Sequence, residues 1–470
     1  MSWRASAGLC VISIVAHTWW SAANAQEGLA SAAGSSYAPA MAEAAAAGAP
    51  TDKAASHGKD EIDYHFGGPI GATVMTVFLP LISIYLWICI HRHGGSLVLP
   101  SLDVIRQVPM PTARGGLYFF GWLAFQIGLD VLLPGKKVQG LRQRDGVVMT
   151  YRLNGFLSLW VSIAATFAVL YTGTVTGGDV LAELGPMLTI AVLFSFAFSG
   201  FLYVYGFRSE RDEARTGNLI YDFFMGTSLN PRIGKLFDLK FFFESKIGLT
   251  TWIAIVMAMG AAEIEREGAL SVPMIMVGLF QLWYVADFYW FEEAMLSTWD
   301  INYENYGFML AFGFVVWMPF NFSLQSQYLV YHQPDVPLWA IVLLVVLNFS
   351  GYYIFRSANL QKHKFRTEDE PLIWGKKPTY IVTKRGTKLL TSGWWGIARH
   401  ANYLGDLMMA LAWCLPAGFS HITPYFYFIY FAPLLIDRER RDHKVCKQKY
   451  GEDWDTYCEK VRYRILPGLY

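Results

Sequence analysis

Residues 337–356 read PLWAIVLLVVLNFSGYYIFR, and Lys362, Lys364 and Arg366 follow soon after. An apolar run of about 20 residues is the length an α-helix needs to cross the hydrocarbon core of a bilayer. Lys and Arg just beyond such a run hold that end on the cytoplasmic side. Comparable runs lie at roughly 71–90, 114–133, 154–173, 184–205, 247–263, 271–296 and 306–325. A last apolar stretch, 403–436, is interrupted near Pro416 and Pro424 and reads as a hairpin of two helices. The pattern predicts an all-α fold, a multi-pass transmembrane helical bundle of about ten spans.

Composition points the same way. The 470-residue chain is 54% hydrophobic and only 16% charged, against about a quarter charged in soluble domains. A net charge of +1 argues against nucleic acid as a partner. The five cysteines form no CxxC pair and no zinc spacing, so neither a disulfide framework nor a structural metal is expected. Membrane lipids are the expected surroundings, and nothing in the sequence reports an oligomeric state.

Loop charges set the orientation. Segment 134–153 carries Lys136, Lys137, Arg142, Arg144 and Arg152, whereas 174–183 carries no Lys or Arg. Segments 206–246, 356–388 and 437–470 carry seven, nine and nine, and 326–336 carries none. Basic loops alternate with neutral ones in register with the spans, which puts the basic side and the C-terminal region in the cytoplasm. The N-terminus opposes this. Arg4, the apolar run Ala7–Ala16 and the small-x-small pattern at Ala23–Ala25 resemble a secretory signal. A cleaved signal would put 26–70 outside and invert the bundle, and the loop charges outweigh it. Residues 26–62, rich in Ala, Gly and Ser, read as a flexible tail. The expected division is therefore a signal-like segment and tail over 1–70, a transmembrane bundle over 71–356, and a cytoplasm-facing cofactor-binding region over 357–470. The signal-like, Ala-rich start favours a bacterial inner membrane; in a eukaryote the endoplasmic reticulum would take its place.

Ionisable residues inside a membrane are costly and mark function by default. In the sixth run, Tyr284 and Asp287 share a helix face, as do Tyr289 and Glu293. A buried Tyr beside a carboxylate can donate a proton, or can simply bond one helix to another. The densest constellation is residues 393–406, GWWGIARHANYLGD. Its aromatic faces can hold a flat ring and Arg399 a phosphate, although an interfacial aromatic belt uses the same residue types. No GxGxxG motif follows a strand, so a nucleotide site would have to be built from helices and loops. His400 lacks a second ligand at metal spacing.

Several motifs resemble the sterol reductase family. They are residues 217–232 (GNLIYDFFMGTSLNPR), 307–313 (GFMLAFG), 389–406 (LLTSGWWGIARHANYLGD) and 463–467 (YRILP), in consistent order over about 114–470. The RHxNYxG element is also similar to steroid 5α-reductases and isoprenylcysteine methyltransferases, and the 217–232 motif separates the chain from both. Trp394-Trp395 and residues 408–419 (MMALAWCLPAGF) look more like Δ14-sterol reductases and the reductase domain of lamin B receptors than like Δ7-reductases. The resemblance implies NADPH contacts at Lys362, Arg366, Leu390, Trp395, Asn402, Tyr403, Asp442, Cys446, Lys447, Gln448, Lys449, Tyr450 and Tyr457. It also implies proton donation involving Tyr284 and Asp442. Two departures stand out: Phe314 replaces an Asp common after the 307–313 motif, and Lys246-Ile247 replaces Arg-Pro.

The implied activity is NADPH-dependent reduction of the C14=C15 bond of a sterol substrate by protonation and hydride transfer. Rivals are a Δ7-sterol reductase, a membrane S-adenosylmethionine-dependent methyltransferase suggested by RHxNYxG alone, and a non-catalytic sterol-binding or structural membrane protein.

Overall fold

The computed structural model describes residues 64–143, 146–208 and 215–470. The signal-like segment and the tail up to residue 62 lie outside the described residues. Within them, ten helices follow the ten apolar runs. These are α1 (Gly68–His93), α2 (Ala113–Leu132), α3 (Gly155–Tyr171), α4 (Gly177–Arg208) and α5 (Leu239–Glu267). They continue as α6 (Val272–Trp290), α7 (Phe308–Leu329), α8 (Leu338–Thr367), α9 (Ala401–Cys414) and α10 (Phe426–Tyr450). Seven of them, α1, α2 and α4–α8, are long and apolar enough to cross a membrane, and α3 is a shorter apolar helix of 17 residues. A short α11 (Glu452–Lys460) follows α10.

The surface is inverted relative to a soluble bundle. On α2, Leu117, Phe120, Val131 and Leu132 face outwards, and on α8 so do Leu338, Trp339, Val342, Leu343 and Val346. Continuous apolar exteriors of this kind are stable where hydrocarbon replaces water. Inside lie buried side-chain hydrogen bonds, such as Gln126 to Ser162 at 2.9 Å and Asn321 to Ser83 at 2.9 Å. They join neighbouring helices where no water is at hand.

The fold is not wholly α. Segment 136–153, expected as a basic loop, forms an antiparallel hairpin of β1 (Lys136–Arg142) and β2 (Val148–Leu153), with Val138 opposite Tyr151. Val138, Met149 and Tyr151 bury against Phe241, Met295 and Ile301. That alternation is a period-two signal hidden among charges. A second hairpin, β3 (Tyr380–Val382) and β4 (Lys388–Leu390), lies after α8, and a two-residue pairing joins Arg232–Ile233 to Phe237–Asp238.

The connecting segments collect at two opposite ends. At one end Lys136 meets Glu293 at 2.8 Å, Arg232 donates to the Thr150 carbonyl at 2.9 Å, and Lys240 donates to the Glu304 carbonyl at 2.8 Å. Arg356, in the second half of α8, stacks over Phe291 just past α6, 3.9 Å from its centroid. At the other end Thr423 donates to the Gly95 carbonyl at 2.9 Å, the Gly177 amide donates to Glu265 at 2.7 Å, and Tyr328 bonds His421 at 2.8 Å.

Helices α8 and α9 cross at two glycines. A Cβ on Gly405 would sit 2.4 Å from the Gly351 carbonyl oxygen, and one on Gly351 would sit 2.7 Å from the Gly405 oxygen. Only backbone against backbone permits that approach, and small residues are how membrane helices reach it.

Candidate functional site

The crossing of α8 and α9 brings the basic end of α8 against residues 393–406. Gly393, at φ 63°, turns the chain where a side chain would strike Gln361. Gln361 then accepts the Trp394 amide at 2.9 Å. Trp395 is buried, donating from its indole to the Ala358 carbonyl at 2.8 Å, with Leu390 and Ile373 packed beside it. The Tyr457 hydroxyl of α11 donates to the Trp395 carbonyl at 3.4 Å. Over the indole stands the Lys362 ammonium, 4.1 Å from the ring centroid, a cation–π placement.

Helix α10 supplies the opposite wall. Asp442 and Cys446, one turn apart, are electrostatic neighbours of both Lys362 and Arg366, and Tyr450 also neighbours Arg366. On a helix 442, 446, 449 and 450 share a stripe. The run 446–450 therefore does not face one way: Lys447 turns to Asp455 of α11, and Gln448 is exposed.

At the start of α9, His400 stacks on Tyr403 with centroids 4.8 Å apart and approaches Asp442 at 3.4 Å. Burial first, then the cations Lys362, Arg399, Arg438 and Arg464, push the imidazole down to about 3. With the imidazole held neutral, the contact is a close approach of ring and carboxylate rather than an ion pair. Asn402 donates to Asn359 at 3.3 Å, while its own carbonyl oxygen is buried without a hydrogen-bond partner. Cations, an indole face and an unsatisfied amide oxygen around one cleft suit an anionic ligand bearing flat rings.

Deeper in the bundle, Tyr284 packs edge-on to Trp413 at 5.1 Å. Its strongest electrostatic neighbour is Asp406 of α9, followed by Tyr430 of α10. Asp442 is not among its neighbours; that carboxylate belongs to the Lys362–His400 cluster. Asp287 does not pair with Tyr284 either. It accepts from the Tyr352 hydroxyl at 2.7 Å and from Arg356, and so bonds α6 to α8. Tyr289 turns to Thr250 and the Ser245 carbonyl, and Glu293 to Lys136. Asp406 is the residue sequence reasoning left out of its site. The signal was present, since a carboxylate sits one turn from Asn402 and Tyr403 at the mouth of an apolar run.

The model of the ergosterol biosynthesis ERG4/ERG24 family matches residues 60–470. The chain belongs to this family of sterol reductases.

Among curated members of the family, the Delta(14)-sterol reductase of Methylotuvimicrobium alcaliphilum is 45% identical over 416 residues, covering 87% of this chain and 97% of its own length. The Delta(14)-sterol reductase of Mus musculus is 42% identical, covering 86% of this chain and 97% of its own length. The 7-dehydrocholesterol reductase of Xenopus laevis is 36% identical, covering 87% of this chain and 93% of its own length. Family membership makes the chain an oxidoreductase and leaves the methyltransferase and purely structural readings without support. Of the two departures, Phe314 is buried against Tyr306, ring centroids 6.0 Å apart. Lys246 is fully buried 3.7 Å from Glu292. Both lie on other helices than the Lys362–Asp442 cleft.

Proposed function

We propose that this chain catalyses NADPH-dependent reduction of the C14=C15 double bond of a sterol biosynthetic intermediate. One observation carries the reading. Helices α6, α8, α9 and α10 bring the Lys362–Trp395–Asp442 cleft and the deeper Tyr284–Asp406 pair into one bundle half. The names of the more similar relatives favour Δ14 over Δ7.

Lys362 and Arg366 would take phosphate charge, Trp395 and Tyr403 would face the rings, and Asn402 would offer its unsatisfied oxygen. NADPH, when bound there, supplies the hydride. Tyr284 holds the proton. Delivered to C15, it breaks the π bond and leaves a tertiary cation at C14, allylic in an 8,14-diene, which hydride then closes. Asp406 is the carboxyl group beside Tyr284, and in its charged form it would favour a cation forming nearby. Asp442, oriented by His400, sits on the cleft side, where it can orient the nicotinamide ribose or return a proton after turnover. The remaining walls, Trp413, Tyr427 and Phe322 among them, are apolar and aromatic, as an apolar substrate requires.

The reading includes ten membrane crossings, with the basic segments in the cytoplasm and the cofactor-binding part of 357–470 facing it, across the inner membrane in a bacterial cell. The decisive experiment supplies purified protein with NADPH and a Δ8,14-sterol, a Δ7-sterol or a Δ24(28)-sterol, and separates products by gas chromatography. Saturation at C14 coupled to NADPH loss is expected. Saturation of the Δ7-sterol alone would move the assignment to the rival bond, and turnover without NADPH loss would end the reductase reading.

A further inference from the structure

The reaction scheme makes no use of residues 461–470, yet they are tied to the cleft by a set of hydrogen bonds. The Tyr463 carbonyl accepts the Arg399 amide at 3.0 Å, and the Arg464 carbonyl accepts the His400 amide at 2.8 Å. Ala398 and Tyr463 pair as a parallel bridge. The segment on which His400 and the start of α9 are mounted is therefore strung along 463–464.

That support is itself anchored. The Tyr470 backbone oxygen accepts three successive amides, those of Arg464, Ile465 and Leu466, at 2.8, 3.0 and 3.1 Å. Successive amides turned onto one oxygen form a concave nest. The Tyr470 hydroxyl and the Arg464 guanidinium both donate to one oxygen of Glu439, at 3.2 and 3.0 Å. Glu439 is 1% exposed, so the two donors satisfy a carboxylate that water cannot reach. It stands on α10 three residues before Asp442, on the same stripe. The clasp joins the carrier of His400 to the helix that carries His400's partner.

We propose that Glu439, Arg464 and Tyr470 are positioning residues, a clasp that fixes the His400 segment against α10 and so sets where Asp442 and Tyr403 present themselves to the nicotinamide end of the cofactor. The assignment rests on the cleft being the NADPH site. Its alternative is a purely structural tie whose loss destabilises the bundle without touching cofactor recognition.

The test compares Tyr470→Phe, Tyr470→Ala and Glu439→Gln in the full chain in nanodiscs, with hydrogen exchange at 398–404 and turnover as separate readouts. Tyr470→Ala is expected to deprotect the Arg399 and His400 amides and to raise the KM for NADPH about tenfold, the loss of a hydrogen bond to a charged group. The sterol KM should stay within about twofold, the whole difference being confined to cofactor geometry. Tyr470→Phe, which loses only the hydroxyl, should give a smaller rise, and Glu439→Gln, which keeps an acceptor, should fall between. Unchanged protection at 398–404 would overturn the clasp whatever the cofactor. Lost protection with an unchanged NADPH KM would reduce it to a structural tie. Failure of the unsubstituted protein to bind NADPH at all would instead remove the functional reading, with the exchange result still deciding whether the clasp holds.

Discussion

Tyr284 and His400 show how one side chain's surroundings decide its use. Tyr284 packs on Trp413 with Asp406 as its electrostatic neighbour, and the proposed scheme draws its proton from that hydroxyl. Tyr284→Phe keeps the ring and its packing, and turnover should fall about a hundredfold or more, the usual worth of a positioned acid. NADPH binding, followed by fluorescence, should be unchanged. His400 offers a different readout. Its imidazole is pushed down to about 3 in the fold and would titrate near 6.5 in the unfolded chain. Between those values the unfolded state binds the extra proton, so this residue's effect on stability is absent above 6.5. It grows unfavourable as pH falls towards 3. His400→Asn should flatten that acid limb in thermal melts run across the same window.

At the scale of the element, α10 shows how helical geometry sorts a basic run into roles. Residues 446–450 read CKQKY, and the family resemblance implies cofactor contacts along the whole run. The 3.6-residue turn aims 442, 446, 449 and 450 at the cleft and leaves Lys447 on Asp455 and Gln448 in solvent. Lys362→Ala should raise the KM for NADPH about tenfold or more, since a charge-assisted contact is lost. Gln448→Ala should leave that KM unchanged, and steady-state kinetics on the two variants will check the division. The β1–β2 hairpin makes a similar point in reverse. Its buried positions, Val138, Met149 and Tyr151, are too few and too dispersed among Lys and Arg to outweigh the reading of a charged loop.

For the whole molecule, the main consequence is sidedness. The turns at Gly95, Gly177 and His421 gather at one end, and Lys136, Arg232 and Glu304 at the other. Under the proposed orientation, Asp335 between α7 and α8 faces outwards from the cytoplasm and Asp369 after α8 faces inwards. An impermeant thiol reagent on spheroplasts should label Asp335→Cys directly. It should label Asp369→Cys only after permeabilisation. The reverse pattern would restore the orientation a cleaved signal would impose.

Long apolar runs, basic loops and the 217–232 and 389–406 motifs needed no coordinates. Helix length against bilayer thickness and the segregation of Lys and Arg are properties of consecutive residues, and they located each long helix, although α8 and α10 run 11 and 14 residues past the expected ends into their basic segments. The members of the cleft came from the family resemblance of the 389–406 motif, and the structure brings Lys362, Trp395 and Asp442 of that set together. What proximity in sequence could not decide was partnership across helices. Asp287, one turn from Tyr284, spends its carboxylate on Tyr352 and Arg356. Asp406, far away in the chain, becomes the neighbour of Tyr284. That exchange follows from how α6 packs against α8 and α9, whose own backbones approach at Gly351 and Gly405. The packing of whole helices decides which face meets which, and only the tertiary structure contains it.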